Sequence, residues 1–167
     1  MIKKFVMTKA VVFAGLLSLP TASPQENNVA HSAGKRTQDP RTRILQTFFV
    51  RYQCPAAQFV DVFITAADEN ALDWRLLPSI SIIESGGGKA AVNNNIFGWD
   101  GGRIVFKSIP HGIRTVAQVL SKSDLYRHKN TDDILRLYNP YPDYGFRVKA
   151  VMRSLGPVNV PGLAALD

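Results

Sequence analysis

The run Ile80-Ser81-Ile82-Ile83-Glu84-Ser85-Gly86-Gly87-Gly88 sets one carboxylate at the end of an apolar stretch, just before a glycine break. Amides and aromatics follow at once, in Asn93-Asn94-Asn95-Ile96-Phe97-Gly98-Trp99. A carboxyl at such a rim has apolar neighbours that disfavour its charged form, so its pKa rises while it can still meet a ligand. Protonating the oxygen of a glycosidic bond needs an acid of this kind, still protonated near neutral pH. Glu84 is the acid whose flanks are apolar on one side and glycine on the other. Asp61, Asp68, Glu69 and Asp73 read as helix-surface or capping groups. Asp132 and Asp133 read as charges at a helix N-terminus, where the dipole favours them.

The elements that must position Glu84 are mostly helical. Ile44, Leu45, Phe48, Phe49 and Tyr52 recur at helical spacing until Pro55 interrupts them. A second helix is expected over residues 56–70, with Phe59, Val60, Phe63, Ile64 and Ala67 on one face. Asp73 is the expected N-cap of a third, over residues 74–84. Pro78 falls early in it, where a missing N–H costs least. Because Ile80, Ile82 and Ile83 make it apolar nearly all round, it is expected to be the buried central helix. Residues 96–106 read as a short hairpin turning at Asp100-Gly101-Gly102. Ser108 opens a helix with Ile113, Val116, Ala117 and Leu120 inward. Thr131-Asp132-Asp133 caps a short helix through Tyr138. Asp143 leads into a last one carrying Phe146, Val148, Val151, Met152 and Leu155. The expected fold is mainly α, about six helices with a small β-hairpin beside a groove.

Three of these segments, taken in order, resemble a known group. Glu84-Ser85 after an apolar helix is similar to the Glu-Ser dipeptide of the lysozyme-like superfamily, which includes the soluble lytic transglycosylases. Asn94-Asn95-Ile96-Phe97-Gly98 resembles the Asn-Asn-x-Phe-Gly motif of bacterial cell-wall glucosaminidases of glycoside hydrolase family 73. Leu137-Tyr138-Asn139-Pro140 followed by Tyr144 resembles the Tyr-Asn element late in these domains. The likeness covers roughly residues 56–155. It implies a lysozyme-like α+β domain and a peptidoglycan hydrolase that cuts β-1,4 bonds of glycan strands. Glu84 would be the catalytic acid, and Tyr138, the second catalytic residue, would lie near it and hydrogen-bond either the acid or the substrate's N-acetyl group. Asn95, Phe97 and Trp99 would line the groove, Ser85 would orient the carboxyl, and Asn139 and Tyr144 would complete the substrate site. Lytic transglycosylases usually carry a Gly-Leu-Met-Gln type segment after the acid, and Asn-Ile-Phe-Gly-Trp stands there instead, which favours the glucosaminidase side. A lytic transglycosylase, a muramidase and a non-catalytic wall-binding module stay open as alternatives. Asp100 could serve as a second carboxylate, but a turn-forming part suits it better. A mechanism using the substrate's N-acetyl group needs no second acid, and neither does formation of an anhydro sugar.

Composition bounds the rest. Lys3, Lys4 and Lys9, the apolar run from Ala10 to Leu19 and the small residues after Pro20 read as a signal peptide over residues 1–22. That run is shorter than the ~20 residues of a membrane span. Residues 23–40 are polar and rich in Asn, Ser, Gln, Pro and Gly, a flexible linker. Residues 41–155 are the expected domain and 156–167 a tail. The expected location is secreted or periplasmic, with membrane contact only through the signal segment. Of 20 basic residues, three leave with residues 1–22, so 17 face 13 acidic ones, a net charge of about +4. That suits an anionic cell envelope. No Lys/Arg block with interleaved aromatics argues for nucleic acid. Cys54 is the sole cysteine, so packing alone must hold the domain. It reads as a small buried apolar residue. His31, His111 and His128 show no metal spacing, and Gly86–Gly88 has no phosphate-loop Lys after it. No cofactor or metal is expected, the partner is the peptidoglycan strand, and a monomer is expected.

Overall fold

The computed structural model describes residues 39–160. The signal peptide, nearly all of the linker and the end of the tail lie outside the described residues. The elements run α1 Pro40–Arg51, a 3-10 turn Pro55–Phe59, α2 Val60–Glu69, α3 Leu76–Ser85, a 3-10 turn Trp99–Gly102, α4 Ile109–Lys122, α5 Thr131–Tyr138 and α6 Tyr144–Leu155. The mainly α reading holds, and among the described residues there are six α-helices.

Local chemistry sets the helix ends. α1 starts one residue before the expected domain boundary. Asp39 accepts from the Arg41 amide there, and Pro40 supplies a first-turn residue that has no N–H to satisfy. Arg41 also grips Asp68 at 2.7 and 2.8 Å, which ties the start of α1 to the end of α2. The expected helix over 56–70 divides at Phe59 into a 3-10 turn and α2. α3 begins two residues later than expected, and Asp73 instead caps the turn before it, accepting from the Arg75 amide at 3.0 Å. The cap of α5 is Asn130, not Thr131: its side chain accepts from the Asp133 amide at 2.9 Å. Ser108 caps α4 as expected, accepting from the His111 amide.

The core forms where α2 packs on α4, and α3 on α6 and α2. Leu76, Leu77, Pro78, Ser79, Ile80 and Ser81 are all buried, so the first turns of α3 are enclosed on every side. This is the central helix that its apolar pattern requires. Its last residues emerge, with Ile82, Ile83 and Glu84 half-buried. Phe49 of α1 packs tilted at 5.6 Å on Phe63 of α2, which meets Phe97 of the loop after α3 edge-on at 6.4 Å. This aromatic file carries packing from α1 to the loop that faces Glu84. Phe146 departs from the expected apolar face of α6: it is 68% exposed, with the Arg153 guanidinium over its ring.

The expected hairpin does not form. Trp99–Gly102 is a 3-10 turn, and the one bridge described in this region joins Val92 to Asn95. Left-handed φ values at Asn93, Asn94, Gly98, Asp100, Gly101 and Gly102 prevent a continuous extended run. Asparagine amides bind the backbone groups that a ladder would have paired. Asn94 donates to the Phe106 carbonyl at 2.9 Å, and the Phe106 amide donates to the Asn93 carbonyl at 3.0 Å.

Candidate active site

Glu84 sits on the last turn of α3. Gly86 follows as the left-handed cap, φ +62°, and its amide donates to the Ile82 carbonyl. The glycine break therefore ends the helix one residue past the acid. Gly98 closes in from the loop. A Cβ built there would lie 3.0 Å from Oε2 of Glu84, and φ is +60°. A residue without a side chain thus lets the loop backbone pass against the carboxyl.

Burial raises the Glu84 pKa above its ordinary value, opposed by the Tyr144 phenol and by the positive charge of Arg147. Tyr144 is buried at the start of α6. Its hydroxyl faces the Glu84 carboxyl but makes no hydrogen bond of regular geometry. Burial, the neighbouring Tyr138 and the Glu84 charge all hold Tyr144 in its neutral form. Tyr138 stacks on Tyr144 with centroids 5.8 Å apart and planes within 8°. Trp99 meets Tyr138 edge-on at 5.5 Å. The Tyr138 hydroxyl donates to the Phe97 carbonyl at 2.6 Å, which pins the loop to α5. Burial and the Glu84 charge push its pKa far up.

Glu84, Tyr138, Tyr144 and Trp99 are therefore brought together, but the Tyr138 hydroxyl is engaged by the Phe97 carbonyl and not by the acid. Three other expected residues face inward rather than toward a ligand. Phe97 is fully buried, so its ring is core and does not line a groove. Asn95 is 3% exposed and its amide is engaged. Its Nδ2 donates to the carbonyls of Trp99 at 2.9 Å and Ile104 at 3.2 Å, and its Oδ1 accepts from the Trp99 amide at 2.9 Å. It has no donor left for a sugar and instead holds the turn that carries Trp99. Ser85 is buried, donates to the Ile96 carbonyl at 2.7 Å and accepts from the Gly88 amide at 3.0 Å. It ties helix end to loop and does not bond the Glu84 carboxyl. Asn139 accepts from the Tyr141 amide at 3.1 Å, shaping the turn between α5 and α6. Asp100 is exposed and paired with Arg103.

Arg147 and Tyr126 are not among the residues the sequence points to, and Gly98 enters there only as the last residue of a motif. Tyr126 is buried, and its charged form would act on both Tyr138 and Tyr144. Arg147 was legible in principle, three residues after Tyr144 on one helix. A cleft of about 420 Å³ lies elsewhere, lined by Phe48, Tyr52, Cys54, Ile82 and Lys89 among others, and not by Glu84. Cys54 is buried there, and burial pushes its thiol pKa up. No protein-family model matches this chain, and no curated protein or solved structure matches it significantly.

Proposed function

We propose that this chain is a peptidoglycan hydrolase with a lysozyme-like domain, secreted or periplasmic, that cleaves β-1,4 bonds of glycan strands in the manner of an N-acetylglucosaminidase. The observation that carries the reading is Glu84: a half-buried carboxyl with a raised pKa, at a helix end, closed over by Gly98 and faced by a neutral phenol. Glu84 acts as general acid, donating its proton to the departing glycosidic oxygen. The Tyr144 phenol favours the carboxylate left behind, because a hydroxyl can donate to it. Tyr138 holds the loop and the Tyr144 ring. Trp99 offers an apolar face to a sugar ring, and Asn139 lies at the adjoining turn. Asn95, Phe97 and Ser85 support the site from behind.

A lytic transglycosylase, which forms an anhydro sugar, is the second reading. It needs no second carboxylate, and Asp100, the candidate for one, is paired with Arg103. A hydrolase using the substrate's N-acetyl group fits that observation equally.

The test is release of soluble fragments from purified cell-wall sacculi by the wild type and by Glu84→Gln. The expected outcome is release by the wild type alone. Equal release by both removes Glu84 from catalysis, and release by neither removes the enzyme reading in favour of a wall-binding module. Mass spectrometry of the new ends then names the reaction: reducing N-acetylglucosamine, reducing muramic acid or anhydro-muramic acid.

A further inference from the structure

The cleft of about 420 Å³ takes no part in the chemistry assigned to Glu84. Its size falls within the roughly 300–1,000 Å³ of small-molecule sites, near the lower end. Ile82 lines it from α3, two residues before Glu84. With about 3.6 residues to a turn, that is more than half-way round the helix, so the cleft opens on the face away from the carboxyl.

Packing fixes the walls. Phe48 and Tyr52 of α1 form one, their rings tilted against each other at 4.8 Å. Ala150 and Val151 of α6 form another. Cys54 and Ile82 are held against the backbone of Gly87, where a Cβ would lie 2.7 Å from the Cys54 Sγ and 3.2 Å from the Ile82 Cδ1. Among the described residues Lys89 is the one charged side chain of the lining, and no Asp or Glu belongs to it. The Lys89 methylenes lie along Gly86: a Cβ on that glycine would meet Cδ at 3.6 Å and Cβ at 3.7 Å. The stem of Lys89 is thus part of the apolar wall, and its ammonium stands at the wet rim. That ammonium is in no ion pair among the described residues.

We propose that this cleft binds a medium-chain aliphatic carboxylate, its chain between the α1 and α6 walls and its head on the Lys89 ammonium. Three observations select that class. The lining is apolar, and its Ser154 hydroxyl already donates to the Val151 carbonyl at 2.7 Å, so the hydroxyls of a sugar would be left unpaired. The planes of Phe48 and Tyr52 stand 49° apart, which suits a flexible chain and offers no parallel slot to a flat ring. The charge at the rim is positive with no acid beside it, so an anionic head is favoured over a neutral or cationic one. The site is separate from Glu84 and does not rest on the hydrolase reading.

Calorimetric titration of the full chain with octanoate, decanoate, decanol and decylamine tests this. Each buried methylene should tighten binding about fourfold, so decanoate should bind roughly tenfold or more above octanoate. Decylamine, with the same chain and the opposite charge, should bind at least about tenfold more weakly than decanoate. Lys89→Gln should weaken decanoate about fivefold or more and decanol less than about twofold, and Lys89→Arg should keep most of the affinity. Added salt should weaken decanoate in the wild type and leave it unchanged in Lys89→Gln. Ala150→Trp fills the cleft and should abolish binding of both decanoate and decanol. The proposal is overturned by no saturable binding of decanoate, by decylamine bound as tightly, by equal losses of decanoate and decanol with Lys89→Gln, or by affinities that Ala150→Trp leaves unchanged. A dimer in light scattering that Ala150→Trp dissociates would put a second copy of the chain in the cleft and overturn it too. Lys89 is exposed and Ala150 half-buried, so both variants are expected to keep the wild-type near-ultraviolet circular dichroism. Should Ala150→Trp lose it, the Lys89 variants and the decylamine comparison decide alone.

Discussion

A Cβ on Gly98 would lie 3.0 Å from Oε2 of Glu84. Two segments 14 residues apart in sequence therefore touch backbone to carboxyl, and the contact exists because one partner has no side chain. Gly98 also has φ +60°, which costs an ordinary L-residue about 1 kcal/mol. Gly98→Ala should thus lower stability by about 1 kcal/mol and push the carboxyl by a few tenths of an ångström. With Glu84 as the acid, fragment release from sacculi should fall roughly tenfold while circular dichroism is unchanged, since small misplacements are costly in catalysis. Wild-type activity in Gly98→Ala would remove the close approach from the mechanism.

The two stacked tyrosines should respond differently to loss of a hydroxyl. Tyr138→Phe leaves the Phe97 carbonyl without its donor and should cost about 1–3 kcal/mol. Tyr144→Phe removes a hydroxyl that has no regular partner and, at a pH low enough to keep Glu84 protonated, should cost less than Tyr138→Phe. Urea unfolding of both variants measures the contrast. Equal losses would contradict the bonding described.

Tyr144→Phe should instead alter the pH dependence of activity. The phenol favours the ionised form of Glu84, so its removal lets burial raise the Glu84 pKa further. The protonated acid then persists to higher pH, and the alkaline limb of the activity profile should move up. A limb that stays in place, or moves down, counts against Glu84 as the titrating acid.

Stability should carry the same signature with the sign worked through. Glu84 has a folded pKa above its ordinary value of 4.5, so between the two values the native state binds more protons than the unfolded one. Stability linked to Glu84 is complete below the ordinary value and is lost as pH rises through the folded one. Glu84→Gln has no such loss. Its stability relative to wild type should therefore increase with pH across that window and level off above it, as read by thermal melts in a buffer series.

Asn95→Ala should loosen the turn that carries Trp99, because three hydrogen bonds converge on one buried amide. A cost of about 2 kcal/mol is expected, with a change in tryptophan fluorescence. Were Asn95 a sugar ligand alone, stability would be untouched and only affinity would fall.

The helices were legible because apolar spacing, caps and breakers act locally. The all-apolar stretch of α3, the Ser108 cap and the glycine stop after Ser85 each depend on residues a few positions apart. The hairpin was misread for a related reason. Asp100-Gly101-Gly102 is a strong turn signal, but Asn93 and Asn94 take left-handed backbone angles, and the Asn94 and Asn95 amides bind the carbonyls of Phe106, Trp99 and Ile104 across the loop. Phe97 and Asn95 sit in a segment whose residue types suit either a groove or a core, and only packing against Phe63 and the loop backbone turned them inward.

The sequence by itself determined that Glu84 ends an apolar helix before glycine, and hence that burial would press on its charge. Which groups answer that pressure was decided by the tertiary structure. Tyr144 and Arg147 lie some 60 residues from Glu84 along the chain, and reach it because α6 packs against α3. Burial of an apolar helix is written in local pattern, whereas the direction of a phenol or a guanidinium depends on the rotation of a second helix against the first.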